Sequence, residues 1–444
     1  MSYLSQTDPT VAKIIKNEDK RQAQTLMMIP SENYASQAVQ EAMSSSLGNK
    51  YAEGYPARRY YQGNEFADQI EQLCIDRAQT LFGVPFVNVQ PHSGSPANFA
   101  AFNAILSPGD TFLGLSLASG GHLTHGAKYT ASSRFFNAVQ YEVGKDGYLD
   151  YDEIARLAKK HKPKVILAGT TAYPRLLDWE RFATIAKSVD AYLMCDIAHI
   201  AGLIAAGVYP TPVPYAHLIT TTTHKSLRGP RGAMIMVTHK GLKKDPDLGK
   251  KVNSAIIPGT QGGPHLNSIA ALCVALKEAS TPKFKEYARQ IIKNATTLAA
   301  ELENHGFGII THGTDSHLIV ADVTPFGLLG NTMAEACEAA NIILNRNSIP
   351  HDPNPPFYPS GVRLGTPGVT TRLMKEREMK IIARAIAGTA YALQESLQNE
   401  KVTIEDQRNP EIRARIIAKT PKIKSIKKEI LTLCKDFPIP KKYV

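Results

Sequence analysis

The feature that most constrains this chain is a series of short apolar runs, each stopped by a small or polar residue and separated from the next by helix-patterned sequence. Residues 86–90, 111–117, 164–169, 192–195, 217–221 and 233–237 have the length and apolar content of buried strands. Their alternation with helices specifies an α/β fold with a mainly parallel sheet covered on both faces. In such a sheet ligands bind outside the carboxyl ends of the strands. Residues 284–304 read as a helix, followed by short strands at 308–310 and 318–321 and a helix through Cys337, which suits a smaller α+β domain. The expected division is an N-terminal helical arm over 1–47, a large domain over 48–275 and a small C-terminal domain over 276–444, with residues 268–279 as a helical linker. A chain of 444 residues is long enough for two such domains.

Composition narrows the class. Hydrophobic content of 43% and charged content of 20% are those of a water-soluble globular protein. No apolar run is long enough to span a bilayer, and the first residues lack the basic start and apolar stretch of a signal peptide, so a cytoplasmic protein is expected. The cysteines (Cys74, Cys195, Cys273, Cys337, Cys434) are scattered and show no C-x-x-C spacing, which argues for a reducing compartment and against a zinc site; no metal is expected. The net charge of +11 owes much to Lys422, Lys424, Lys427, Lys428, Lys435, Lys441 and Lys442. These read as a solvated helix face and tail. Without interleaved aromatic residues they do not make a nucleic-acid surface.

Within the arm, Ser31 precedes the helix-compatible run 35–43 and is expected to cap it. The segment 49–63 is too rich in Gly, Pro and Tyr for a helix and too polar for a buried strand. Asn64 then opens a helix whose apolar face is expected at Phe66, Ile70, Leu73, Ala78 and Leu81, stopped by Gly83.

The chemistry concentrates at three strand ends. Thr220-Thr221-Thr222-Thr223-His224-Lys225 places polar β-branched residues where burial is costly without partners, then a lysine flanked by His224 and followed by Gly229-Pro230-Arg231-Gly232. Desolvation and a neighbouring cation would lower the pKa of that lysine and ready it to attack a carbonyl. The run 192–195 ends in Asp196. The run 86–90 opens into His92-Ser93-Gly94-Ser95, a small-residue turn before a helix expected to begin near Pro96. A lysine for a Schiff base, an acid for a pyridine nitrogen and an anion cup are what pyridoxal phosphate requires.

From Ile29-Pro30-Ser31-Glu32-Asn33 through Thr220–Gly232 to Arg363-Leu364-Gly365-Thr366-Pro367, the chain resembles the serine hydroxymethyltransferase family. The resemblance implies the type I fold of pyridoxal-phosphate enzymes, with a seven-stranded-type sheet in the large domain, and conversion of L-serine and tetrahydrofolate to glycine and 5,10-methylenetetrahydrofolate. It assigns Lys225 to the cofactor aldehyde and Asp196 to the ring nitrogen. Ser93, Gly94 and Ser95 go to the phosphate, His122 to the ring face, and Thr171 (usually serine) and His199 to positions near the ring hydroxyl. His224 joins Lys225, Asp196, His199 and Glu53 in the expected catalytic set. Tyr51, Gly262 and Gly263 match phosphate contacts. Ser31, Tyr61 and Arg363 match substrate contacts, with Arg363 suited to bidentate pairing with a carboxylate. Glu53 would move a proton on the substrate hydroxyl or the folate. Leu117, Gly121, His122, Leu123, Asn347, Pro355, Pro356 and Phe357 match folate positions. Arg372 belongs to the Arg363 motif, but the glycine that usually follows it is Leu373, and it receives no role.

In the family the segment holding Tyr51, Glu53 and Tyr61, and the Gly262-Gly263 turn, serve a neighbouring subunit, which implies a homodimer or a dimer of dimers. An aldolase for β-hydroxy amino acids and a transferase acting on α-methylserine need the same cofactor chemistry. The Asn347 and Pro355–Phe357 elements argue for folate.

Overall fold

The computed structural model describes residues 2–440, which leaves Lys441 and Lys442 of the basic tail outside the described residues. Two compact units emerge. One holds Asn33–Ile292 and Thr314–His317; the other holds the residues up to Glu32 together with Lys293–Gly313 and Leu318–Pro440.

The larger unit is built on a seven-stranded sheet: six strands fall on the apolar runs, and the seventh, Asn137–Tyr141, lies outside them as a partly exposed edge strand. In spatial order its strands are Phe86–Asn88, Ala233–Val237, Leu218–Thr222, Tyr192–Asp196, Val165–Gly169, Thr111–Leu115 and Asn137–Tyr141. The last five are mutually parallel, and Ala233–Val237 runs against both of its neighbours. Alternate strand residues enter two different apolar clusters. Leu113, Ile166, Leu193 and Ile219 join one; Phe112, Val165, Met194 and Leu218 join the other. Both faces of the sheet are therefore buried, which is why these strands read as continuous apolar runs rather than alternating ones.

The helix Glu65–Phe82 ends at Gly83 as expected, where φ is +68°. Its buried face is Ala67, Glu71, Cys74, Ala78 and Phe82, whereas Phe66 and Leu73 are exposed. The expected face is thus rotated by about one residue. The cause is Glu71, a charged residue that is buried because Arg59 Nη2 (2.6 Å) and Gln90 Nε2 (2.7 Å) satisfy its carboxylate. Ser31 is not the cap of the next helix. That helix runs Gln37–Met43, and Ser36 accepts the Val39 N–H, while Ser31 lies in the preceding turn. Leu266–Ala279 is not a linker either: it packs on Glu65–Phe82 and Gln37–Met43 inside this unit.

The smaller unit has a four-stranded antiparallel sheet in the order Gly308–Ile309, Leu318–Asp322, Gly361–Gly365, Asn345–Asn347. The N-terminal arm is divided, because Leu26–Met27 pairs in parallel with Ile342–Ile343 and both Leu26 and Met28 are fully buried in this unit's core.

Arg372 has a structural task here. Its buried guanidinium donates to the carbonyls of Ala23, Thr25, Cys434 and Phe437 at 2.6–3.1 Å and to Gln22 at 3.4 Å. These carbonyls belong to the C-terminal ends of Pro9–Gln24 and Pro421–Asp436, where helices leave acceptors unpaired and favour cations. Arg372→Ala is expected to cost about 3 kcal/mol or more, since it strands several buried carbonyls at once. A lowered thermal midpoint would show it; a change within about 0.5 kcal/mol, typical of a surface substitution, would contradict it. The family glycine after Arg372 has a backbone reason, because Leu373 sits at φ +67° with its side chain exposed.

Candidate active site

The strand Leu218–Thr222 carries the threonine run into the core, and every hydroxyl finds an acceptor. Thr220 Oγ1 donates to Asn98 Oδ1 (2.6 Å), Thr221 to Thr222 O (2.9 Å), Thr222 to Ala198 O (3.3 Å) and Thr223 to Pro230 O (2.6 Å). This answers the cost of burying them and brings Lys225 to the strand's end, where it is only 9% exposed. Ser226 fixes the turn behind it by donating to His199 O (2.7 Å) and accepting from Gly202 N–H (3.1 Å).

Gly94, His122, Thr171, Asp196, His199 and Lys225 line one small cavity. Asp196 ends its own strand beside Lys225's, and both oxygens of its carboxylate accept hydrogen bonds, with one lone pair of Oδ1 still open. Oδ2 accepts from Asn98 Nδ2 (2.8 Å) and His125 Nε2 (3.1 Å), and Oδ1 accepts from Ala198 N–H (3.0 Å). Burial alone would push this carboxyl up. The His125 hydrogen bond, the charges of His125 and His122 and the Asn98 hydrogen bond outweigh it and hold Asp196 well below the usual carboxylate range. The acid is therefore ionised.

His122 Nδ1 sits 2.8 Å from Thr124 Oγ1, which itself accepts from Asn98 Nδ2 at 2.8 Å. Burial pushes the His122 imidazole down to about 4, so it is neutral at pH 7. Thr171 Oγ1 donates to Gly120 O and Gly121 O, tying a strand end to the His122 loop. Gly121 must be glycine, because a Cβ there would lie 2.0 Å from Leu115 O. Leu117 and Leu123 project from the same loop and are exposed.

The helix after the cup runs Gly94–Ile105. It begins at Gly94, two residues before the expected Pro96, because Ser93 is extended and its carbonyl takes the first intrahelical bond, from Ala97 N–H. Pro96 therefore occupies the third helical position, still inside the turn whose N–H groups have no intrahelical acceptor. A Cβ at Gly94 would meet Thr222 Cγ2 at 2.7 Å, so the helix N-terminus abuts the Lys225 strand. Ser93 and Ser95 flank this point and are exposed.

Other expected residues gather elsewhere. Tyr51 and Tyr61 donate to the two oxygens of Glu53 (3.0 and 3.2 Å), and hydrogen bonding to Glu53 raises both phenols. Glu53 Oε1 lies 3.1 Å from where a Cβ of Gly262 would be, and the Tyr51 ring 3.5 Å from that of Gly263. Tyr51, Tyr61 and Gly262 of this cluster are exposed, Glu53 and Gly263 are half-buried, and none of the five lines the Lys225 cavity. The cluster is held by Arg59, which bonds Asp68, Glu71 and the carbonyls of Ala52 and Gly54. His224 is half-buried beside Lys225, pushed down to about 4 by burial and then by the charges of Lys225 and Arg231, and does not line the cavity. In the smaller unit Arg363 pairs along the strands with Asn345 and donates to its side chain (3.3 Å). Burial pushes its guanidinium down to about 10, still charged at pH 7. Asn347 ends the neighbouring strand. Asp352 accepts N–H groups of Ile349, Asn354 and Ser360 to shape the loop that holds Pro355, Pro356 and Phe357. Ser31 belongs to this unit as well.

The family model described as serine hydroxymethyltransferase matches residues 4–386. The chain belongs to the serine hydroxymethyltransferase family. A serine hydroxymethyltransferase of Francisella tularensis subsp. mediasiatica is 50% identical over 398 residues, covering 89% of this chain and 94% of that protein. One from Acidothermus cellulolyticus is 50% identical over 414 residues (93% and 95%), and one from Halorhodospira halophila 48% over 432 residues (97% of each). Against the family motifs, sequence reading overlooked two residues that the structure puts at the centre of the site, Asn98 and His125. Each carried a signal: Asn98 is the polar residue in the stretch 97–102, otherwise all Ala and Phe, and His125 follows His122 by three positions.

Among the described residues no helix is long and apolar enough to cross a membrane.

Proposed function

We propose that the chain is a pyridoxal-phosphate-dependent serine hydroxymethyltransferase, cytoplasmic, exchanging a one-carbon unit between serine and tetrahydrofolate to give glycine and 5,10-methylenetetrahydrofolate. The observation that carries the reading is the shared cavity of Lys225 and ionised Asp196. Its donor set fits the cofactor: an amine for the aldehyde, a carboxylate for the ring nitrogen, the flat neutral His122 for the ring face, and the first-turn amides at Ser93, Gly94 and Ser95 for the phosphate. When bound, pyridoxal phosphate supplies an electron sink that weakens bonds at the substrate's α-carbon.

The protein's own groups do the rest. Asp196 holds a proton on the ring nitrogen, and Asn98 and His125 hold Asp196. Thr171 and His199, which line the same cavity, would contact the ring near its hydroxyl, and neutral His224 adjoins the lysine. Arg363 takes the amino-acid carboxylate, a role supported by its motif and its buried charge, and Ser31 is a further substrate contact. Glu53, bridged by two tyrosines, is the acid or base for the hydroxyl proton. Leu117, Gly121, His122, Leu123, Asn347, Pro355, Pro356 and Phe357 are the folate contacts.

The working unit is at least a homodimer. Its support is the partly exposed Tyr51–Glu53–Tyr61–Gly262–Gly263 cluster, a hydrogen-bonded group outside its own chain's lysine cavity. Two measurements test the reading. Serine cleavage should depend on tetrahydrofolate; equal cleavage without it would favour an aldolase. Lys225→Ala and Glu53→Gln proteins, each inactive, should recover about a quarter of wild-type activity when dissociated and reassembled at equal amounts. Half the dimers are then hybrids, and each hybrid has one intact site. No recovery, with hybrids shown to form, would place Glu53 and Lys225 in the same chain's site.

A further inference from the structure

A further buried histidine stands behind the lysine cavity. His317 is fully buried, and its Nε2 shares a hydrogen bond with His199 Nδ1 at 3.4 Å. The two rings stack, with centroids 5.5 Å apart and 28° between their planes. His199 is itself buried and lines the cavity with Lys225 and Asp196. The chain makes an excursion to bring His317 there. Thr314–His317 belongs to the larger unit, although the residues on either side, Lys293–Gly313 and Leu318–Pro440, belong to the smaller. The excursion is tied to the loop 174–176. Thr314 Oγ1 and Asp315 N–H both donate to Pro174 O (3.1 and 3.0 Å), and Thr314 Oγ1 accepts from Ser316 N–H (3.1 Å). The Asp315 carboxylate accepts from Arg175 Nη1 (2.8 Å) and Leu176 N–H (3.1 Å). That loop follows shortly after Thr171, another residue of the cavity wall. One stretch of chain thus supplies Thr171 and secures the segment that carries His317.

A histidine ring turned over about its Cβ–Cγ bond exchanges its nitrogens for carbons, so a histidine that must meet a ligand needs its ring fixed. Ser226 fixes the His199 backbone by donating to its carbonyl (2.7 Å). His317 fixes the ring. With Nδ1 committed to His317, Nε2 is the nitrogen that can serve the cofactor. We propose that His317 is a positioning residue for pyridoxal phosphate, acting through His199 so that Nε2 meets the ring hydroxyl. This rests on the cofactor reading above, which puts His199 near that hydroxyl, and adds the residue that sets its orientation.

The test uses the full-length protein loaded with pyridoxal phosphate. His317→Phe keeps an aromatic ring in the core and removes the nitrogen. It is expected to move the visible absorbance maximum of lysine-bound pyridoxal and to lower kcat about tenfold, with the KM for serine within about twofold of wild type. His317→Asn should match it, because the shorter amide reaches the place of Nδ1 but not of Nε2, and it stands in if phenylalanine is not accommodated. His317→Gln puts an amide nitrogen near the place of Nε2, so it should restore the spectrum and bring kcat to within about threefold of wild type. In His199→Ala/His317→Phe the second substitution should cost no more than about twofold beyond His199→Ala, since no ring is left to position. A histidine that only fills the core would lower the thermal midpoint when replaced and leave the spectrum alone. A wild-type spectrum and kcat in His317→Phe or His317→Asn, a His317→Gln protein no better than these, or losses that multiply in the double variant would overturn the proposal while leaving the cofactor reading in place. A wild-type protein that takes up no pyridoxal phosphate would overturn both.

Discussion

Lys225→Ala protein is expected to fold, to purify without the visible absorbance of lysine-bound pyridoxal, and to lose serine cleavage by about 10³-fold or more. Folding should survive because the local structure rests on other groups. The strand before position 225 keeps its threonine hydrogen bonds, and Ser226 keeps its bonds to His199 and Gly202. Function should not survive, because Lys225 is the only amine among the residues lining the cavity. Activity within about tenfold of wild type would remove position 225 from the chemistry.

A comparable loss, about 10³-fold, is expected for Asp196→Asn, the scale on which an isosteric Asp→Asn exchange at a buried catalytic carboxylate is felt. Two effects combine. The negative charge that would keep the ring nitrogen protonated is gone. An amide also cannot satisfy the surroundings: Oδ2 faces donors from Asn98 and His125, and Oδ1 faces the Ala198 N–H. Whichever way the substituted amide turns, its NH₂ group meets a donor, at a cost of about 1–3 kcal/mol. The variant should therefore show both a lowered thermal midpoint and a kcat that falls far more than the KM for serine rises. A kcat within about tenfold of wild type would sink the role given to this acid.

The sheet and its strand ends were legible because strands buried on both faces write themselves as unbroken apolar runs. The same logic located Lys225, Asp196 and the cup before Gly94, each at the point where such a run stops. What escaped reading depends on partners distant in sequence. Glu71 lies outside the apolar face expected for its helix, because Arg59, which neutralises it, and Gln90, which donates to it, come from other segments, and its burial turns the face by about one residue. Asn98 and His125 act on Asp196 rather than on anything a motif displays. Leu26 and Met28 looked like part of a helical arm, but a two-residue parallel pairing with a strand more than three hundred positions away claims them for the C-terminal core. Ser31 and Ser36 are equally good capping residues by type, and only the helix start decides between them.

Arg372 gathers carbonyls from near the beginning of the chain and from near its end around one guanidinium. Trimming either terminus past those residues would leave a buried cation facing empty space, so the two ends are interchangeable in their effect. A shortened form made from one side should fail in the same manner, and for the same reason, as one made from the other.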